Sequence, residues 1–324
     1  MKKIVGSLFS WFYWLGLVIT QASYRFLPLR MKKVGARVIS IGNITCGGTG
    51  KTPLVAKIAR ELAEGGRKVA VLTRGYGEDE VQELKKKLPG VPVIVGRDRV
   101  RTAREAIDKF GAQLLILDDG FQHLRLRRDL DVVNINAAAP FGPGGLLPAG
   151  TLREPLGHLG RADVFVLTKS DIGSKNLPWI REKLLKVKPD ALIFEAVHKP
   201  MRFADPIKGR SVGLQDVRGR RVATISGIGD PFSFEKSVEN LGCEIHLAAR
   251  FDDHHRFTRR DLEDFTAQCR ALGLRDVVTT EKDFFRLEPF LKQLPDLCTL
   301  NFLILEIEIE IHDEEAFLRR CINP

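Results

Sequence analysis

The sequence predicts a protein of the α/β class, built on a parallel sheet, and three observations carry that expectation. After Gly35, short β-branched runs alternate with stretches of helical pattern, which is the rhythm of βαβ units. One of these runs ends in a glycine-rich loop closed by Lys51-Thr52 and followed by a helix. A second, shorter βαβ rhythm begins near Arg221, so the 324 residues are expected to form two domains, as their length suggests.

Composition narrows the partners. With 44% apolar and 28% charged residues the chain is not of the disordered class. Lys and Arg number 51 against 41 Asp and Glu, a formal charge of +10. That excess favours phosphate groups, anionic lipid or nucleic acid, without choosing among them. No zinc knuckle, RNP-like aromatic block or basic tail supports the nucleic-acid reading. Cys46, Cys243, Cys269, Cys298 and Cys321 are odd in number, scattered and never C-x-x-C, which argues against a disulfide framework or a zinc site and for a reducing compartment.

The N-terminal 30 residues form their own segment. From Ile4 to Tyr24 there is no charge, Leu8 to Leu15 is rich in Trp, Phe and Tyr, and Lys2, Lys3, Arg25, Arg30, Lys32 and Lys33 flank the run. A helix lying at the bilayer surface is favoured over a single span, because Gly6, Ser7, Ser10, Gly16, Thr20 and Gln21 dilute the apolar run and Trp and Tyr prefer the interface. A cleaved signal peptide fares worst, its apolar region being crowded with aromatics.

Strands are expected at Arg37–Ile41, Lys68–Leu72, Pro92–Val95, Gln113–Leu117, Asp131–Ile135 and Asp163–Leu167. Helices are expected at Pro53–Glu64, Val81–Leu88, Arg99–Phe110 and Leu177–Lys188. Ala137 to Pro155, rich in Pro and Gly, predicts a long ordered loop. In the second rhythm strands fall at Val222–Ser226, Glu244–Leu247 and Asp276–Thr279, and helices at Phe232–Leu241 and Arg259–Leu272. Leu303 to Ile311 alternates apolar residues with glutamates, a half-buried strand whose candidate partner is 192–197. The expected division is 1–30, 31–215 and 216–324, with 301–311 and 192–197 as a two-stranded link.

Gly42-Asn43-Ile44-Thr45-Cys46-Gly47-Gly48-Thr49-Gly50-Lys51-Thr52-Pro53 has the strand, glycine loop, helix order of a phosphate-binding loop, so the larger domain is predicted to be P-loop NTPase-like. Its G-G-x-G-K-T spacing leaves Thr45 where the commoner form has Gly. Thr45, Gly47, Gly48, Thr49, Gly50, Lys51 and Thr52 are the expected nucleotide contacts, with Lys51 on the phosphates and Thr52 on Mg²⁺. Leu114 to Asp119 is an apolar strand ending in two carboxylates, where a magnesium-coordinating aspartate belongs.

Taken with Arg74-Gly75-Tyr76-Gly77, Asp118-Asp119-Gly120-Phe121-Gln122-His123, Leu147 to Pro155, Ser226 to Pro231, Asp253-His254 and Thr279 to Asp283, the chain closely resembles the tetraacyldisaccharide 4′-kinase family from about residue 35 to 285. The resemblance implies transfer of the γ-phosphate of ATP to the 4′-hydroxyl of a tetraacyldisaccharide 1-phosphate, an anionic glycolipid, at the cytoplasmic face of the inner membrane. It places Lys51 and Thr52 on nucleotide and Mg²⁺, and Asp118, Asp119 and Glu154 around the metal, with His123 closing that block. It also implies a catalytic carboxylate in a G-D-E-P block, supported by the histidine of D-H. Here the chain departs from the pattern: it has Gly77-Glu78-Asp79-Glu80-Val81, without the proline, so Asp79 is the catalytic candidate, Glu78 the alternative, and His254 the matching histidine. A membrane-recruited regulatory ATPase of the same loop type is the competing reading. Arg97, Arg99, Arg101, Arg104, Arg125, Arg127 and Arg128 are candidates for the substrate's 1-phosphate or for anionic headgroups, or form a solvated face.

Overall fold

The computed structural model describes residues 2–27, 30–47, 50–75, 78–291, 293–294 and 296–323, without the side chains of 2–8, 25, 78 and 79. The chain forms two compact units, one of Met1–Val197 with Ile309–Pro324, the other of His198–Glu308.

The first unit opens with α1 (Lys2–Phe26) and then alternates β1 (Arg37–Gly42), α2 (Lys51–Glu64), β2 (Val69–Thr73), α3 (Glu78–Lys87), β3 (Val93–Val95), α4 (Arg99–Phe110), β4 (Leu114–Asp118), β5 (Leu130–Asn136), β6 (Val164–Thr168) and α5 (Leu177–Val187), before β7 (Leu192–Asp205). Its strands run in the order β7-β6-β5-β1-β4-β2-β3, each pair parallel. Alternation explains the layers. Ile39, Ile41, Val71, Ile116, Val132 and Val166 face α2. The intervening Val38, Ala70, Leu72, Leu115 and Leu117 face α4, and Val133, Ile135, Phe165 and Leu167 face α5. A sheet covered on both faces needs strands apolar throughout, which is why these runs are continuous. Burying each large side chain contributes about 1.5–3 kcal/mol.

In the second unit β8 (Arg210–Val212), β9 (Arg221–Ser226), α6 (Pro231–Asn240), β10 (Glu244–Arg250), α7 (Arg259–Ala271), β11 (Asp276–Thr280), α8 (Glu281–Leu291) and β12 (Asn301–Ile311) follow in turn. Strands β10-β9-β11-β12 are parallel neighbours. Phe265 of α7 and Phe284 of α8 cover one face, Phe234 and Val238 of α6 the other. Residues 198–215 pack here, with Phe203 and Val212 in the α6-side core. Antiparallel β7–β8 pairing holds them. The unit boundary is therefore at Val197/His198 rather than 215/216.

Both chain passages between units run inside strands, Val197/His198 in β7 and Glu308/Ile309 in β12. β12 neighbours β7, with His312 N–H donating to Glu195 O at 2.8 Å. After it, α9 (Glu314–Ile322) buries Phe317 and Cys321 in the first unit's core. The sequence reading gave no helix at α8 or α9. Pro289 inside α8 and the shortness of α9, nine residues, hide their periodicity. Among the described residues no helix is long and apolar enough to cross a membrane.

Candidate active site

Strand β1 delivers the phosphate loop. Its Ile41 is in register with Asp118 at the end of β4, so the paired aspartates stand beside the start of the loop. Gly42 permits this approach: a Cβ there would lie 2.5 Å from Phe121 Cβ. Gly47 and Gly50 have φ of 104° and 77°, a region that side chains resist. Among the described residues no side chain caps α2 at Gly50, and a helix's first N–H groups suit an anion. Gly48 and Thr49, two of the expected nucleotide contacts, lie outside the described residues.

Lys51 Nζ donates to Asn43 Oδ1 at 3.0 Å and lies 3.3 Å from Asp119 Oδ1. Asn43 is fully buried, and its amide donates to the Thr45 carbonyl. Gln122 in turn donates to the Asn43 carbonyl. The lysine is thus braced from below by an amide and from the side by a carboxylate. Thr45 itself forms an antiparallel bridge with Leu152.

The two aspartates have opposite environments. Asp118 is buried and accepts from Thr73 Oγ1 at 3.0 Å. Burial pushes its carboxyl up to about 6, against the pull of Lys51 and with the push of Asp119. A buried carboxylate held there at neutral pH is a strong recruiter of a cation. Asp119, at φ 51°, is also burial-opposed, yet Lys51 and Arg153 hold its carboxyl below the usual carboxylate range. Arg153 Nη1 reaches both Asp119 oxygens at 2.8 and 2.9 Å. Behind them, buried Arg99 donates to the Asp118 carbonyl, separating it from the exposed arginines of its cluster. Burial, then Arg99 and Arg128, bring His123 down to about 4, and its buried Nε2 has no hydrogen-bond partner among the described residues. At neutral pH this ring is uncharged.

Glu154 is committed elsewhere. Arg161 donates to both its oxygens at 2.8 and 3.1 Å, and His158 Nδ1 and Gln21 Nε2 reach its Oε2. Among the described residues no group of three His, Cys, Asp or Glu side chains is close enough to hold a metal. Glu154 is therefore not gathered with Asp118 and Asp119 here. Asp79 lies in the first turn of α3, and its side chain, like that of Glu78, is outside the described residues.

His254 belongs to the second unit, on the turn after β10. Its φ of 61° is set by its N–H donating to Gly227 O at 3.1 Å. Arg286 locks the same turn, donating to the carbonyls of Gly227 and His255 while pairing with buried Asp283 at 3.1 Å. Burial raises the Asp283 carboxyl pKa. His254 Nε2 is 3.2 Å from Lys282 Nζ. The same Nε2 lies 3.9 Å from Asp253 Oδ1, so the ring sits between an ammonium and a carboxylate.

The profile of the family described as tetraacyldisaccharide-1-P 4′-kinase matches residues 3–323. The chain belongs to that family. Among relatives named tetraacyldisaccharide 4′-kinase, that of Anaeromyxobacter dehalogenans is 42% identical over 284 residues, 80% of this chain and 74% of its own. That of Syntrophus aciditrophicus is 36% identical, across 96% of this chain and 90% of its own. LpxK of Aquifex aeolicus, crystallised in complex with ATP, matches with a TM-score of 0.72 and 27% identity over all of both chains. The chain is therefore an enzyme of the kinase class with a P-loop-type α/β fold. In this kinase, sequence reasoning placed Asn43, Arg153 and Lys282 inside motifs but gave them no role; the structure puts them on Lys51, Asp119 and His254. Only their position within the quoted motifs could have singled them out, since the partner each one meets is set by the fold.

Proposed function

We propose that this kinase performs its transfer, from ATP to the 4′-hydroxyl of a tetraacyldisaccharide 1-phosphate, with Lys51, the phosphate-loop amides and Asp118–Asp119 on the nucleotide side and Asp79 with His254 on the acceptor side. The carrying observation is Lys51 braced between Asn43 and Asp119 beside a buried, cation-seeking Asp118. Thr52, Asp118 and Asp119 would hold Mg²⁺, whose charge would offset that developing on the transferred phosphoryl group. They supply the hard oxygen donors this ion requires. Glu154, also expected at the metal, serves in the structure as the anchor of Arg161, His158 and Gln21.

Little covalent work falls to the protein in phosphoryl transfer. Lys51 and the loop amides orient the phosphates and take up their charge. Asp79 accepts the hydroxyl proton late in the reaction, and His254 supports it. That pairing rests on the family resemblance.

Acceptor access is assigned to the membrane surface, on the cytoplasmic face of the inner membrane. Phe9, Trp11, Phe12, Ile19 and Phe26 of α1 are exposed, and a helix of this kind lies in the interface plane. Transfer of ³²P from γ-labelled ATP with Mg²⁺ to a tetraacyldisaccharide 1-phosphate in mixed micelles tests the proposal, with Lys51→Ala as control. Labelled lipid that depends on Lys51 is expected. Phosphate release without labelled lipid would favour the regulatory ATPase.

A further inference from the structure

A surface helix ordinarily turns its apolar stripe inward and its polar face to water. In α1 this is reversed. Ser10, Tyr13 and Gln21 are spaced by three and eight residues, within about 80° of one another around the axis. All three hydrogen-bond into the protein, whereas Phe12, Ile19 and Phe26 occupy the opposite, exposed side, with exposed Phe9 and Trp11 on its flanks.

The inward hydrogen bonds converge on one segment. Ser10 Oγ donates to Leu146 O at 3.0 Å and accepts from Ala149 N–H at 3.2 Å. Tyr13 OH donates to Arg153 O at 2.8 Å. Gln21 Nε2 donates to Glu154 Oε2 and lies 2.8 Å from His158 Nδ1. That segment is joined to the phosphate loop: Cys46 N–H donates to Thr151 O and Arg153 N–H to Ile44 O, both at 2.8 Å. From it Arg153 reaches Asp119, which faces Lys51.

We propose that Tyr13 and Gln21 are positioning residues for phosphoryl transfer: through Arg153 and Glu154 they tie the helix that meets the membrane to the Asp119–Lys51 pair. The inference rests on the assignment of that pair to the nucleotide. Tyr13 fixes the backbone at Arg153, so the guanidinium keeps its two-oxygen grip on Asp119. Gln21 fixes the adjoining Glu154 against Arg161 and His158. A helix seated on a bilayer then sets the spacing of catalytic groups, which tolerates shifts of well under an ångström.

The test uses full-length Tyr13→Phe, Gln21→Leu and the double variant, neither substitution adding charge or a helix breaker. Affinity for ATP without lipid, kcat and both KM values in mixed micelles, and partition onto phosphatidylethanolamine–phosphatidylglycerol vesicles are measured. The expected result is unchanged partition, unchanged KM for the lipid, weaker ATP binding and kcat lower by about tenfold in the double variant. Wild-type ATP affinity and kcat would overturn the proposal. So would a fall in kcat that is matched by an equal fall in the number of ATP-binding sites with ATP affinity intact, because that marks only a smaller folded fraction. Absence of lipid phosphorylation by the unaltered enzyme would instead overturn the kinase assignment, and ATP affinity of the variants still decides the role of Tyr13 and Gln21.

Discussion

Two adjacent carboxyls of the same type, Asp118 and Asp119, are driven apart by their neighbours. Burial lifts Asp118 to about 6 while Lys51 and Arg153 overcome burial and lower Asp119. Between its ordinary value of 3.8 and about 6, the folded protein holds an Asp118 proton that the unfolded chain has lost. Stability therefore falls as pH rises through that window, and at pH 7 the full cost is present. Asp118→Asn should raise the Tm of the nucleotide-free protein at pH 7, by ~2–4 °C for each kcal/mol recovered, with the gain vanishing below pH 4. It should also abolish transfer. An equal gain at both pH values in a calorimetric scan would rule out burial of charge as the cause. At the acceptor side, Asp79→Ala and His254→Ala should each lower kcat by about 10²- to 10⁴-fold. If they form one catalytic unit, the double variant is little worse than the worse single one. Multiplying losses would assign them separate roles.

At the scale of elements, α1 and the 137–155 loop show why polarity pattern and position must be considered together. The loop is the ordered, turn-rich segment its Pro and Gly content predicts, and Gly142, Gly144 and Gly145 supply positive φ in it. Its own turns hold it, Gly150 N–H on Leu146 O and Leu152 N–H on Gly145 O among them, and the hydrogen bonds of Ser10, Tyr13 and Gln21 and of the phosphate loop fasten it from outside. The exposed aromatic side of α1 is free of those bonds. Phe12→Ser with Ile19→Ser, two residues about three-fifths exposed, should weaken sedimentation with phospholipid vesicles at least tenfold, since each large apolar group contributes about 1.5–3 kcal/mol when buried. Their Tm in buffer should stay within a degree or two. A large loss of Tm with retained sedimentation would mean that this side packs against protein.

For the whole molecule, the informative feature is that the chain returns. Having built the second unit, it comes back along β12 and ends with α9 in the first unit's core. Arg37 at the start of β1 clamps this end, donating to the carbonyls of Cys321 and Asn323 at 2.8 and 3.0 Å. Phe317, fully buried and edge-on to Phe194 at 5.3 Å, lies on the α2 side of the sheet. Phe317→Ala should cost about 3–5 kcal/mol. The first unit should lose it, so ATP-dependent protection from proteolysis should fall although the residue lies only seven positions from the last residue of the sequence. Undiminished protection would show that α9 contributes nothing to the nucleotide-binding unit.

What the sequence determined by itself was whatever depends on near neighbours: the α/β class, most strands and helices to within a residue or two, the phosphate loop, and the carboxylates at the end of β4. Periodicity, turn chemistry and motif spacing are local, and the burial they report is the same wherever the element docks. Only the tertiary structure decided that residues 198–215 join the second unit, that α9 completes the first, that Glu154 turns to Arg161, and that Asn43 and Arg153 flank Lys51 and Asp119. The pairing of Arg153 with Asp119 crosses tens of residues, and even the shorter ones, Glu154 with Arg161 and Asn43 with Lys51, depend on how the intervening chain folds back; packing and charges meeting in a low-dielectric interior make them, and spacing along the chain does not encode which partner a buried charge will find.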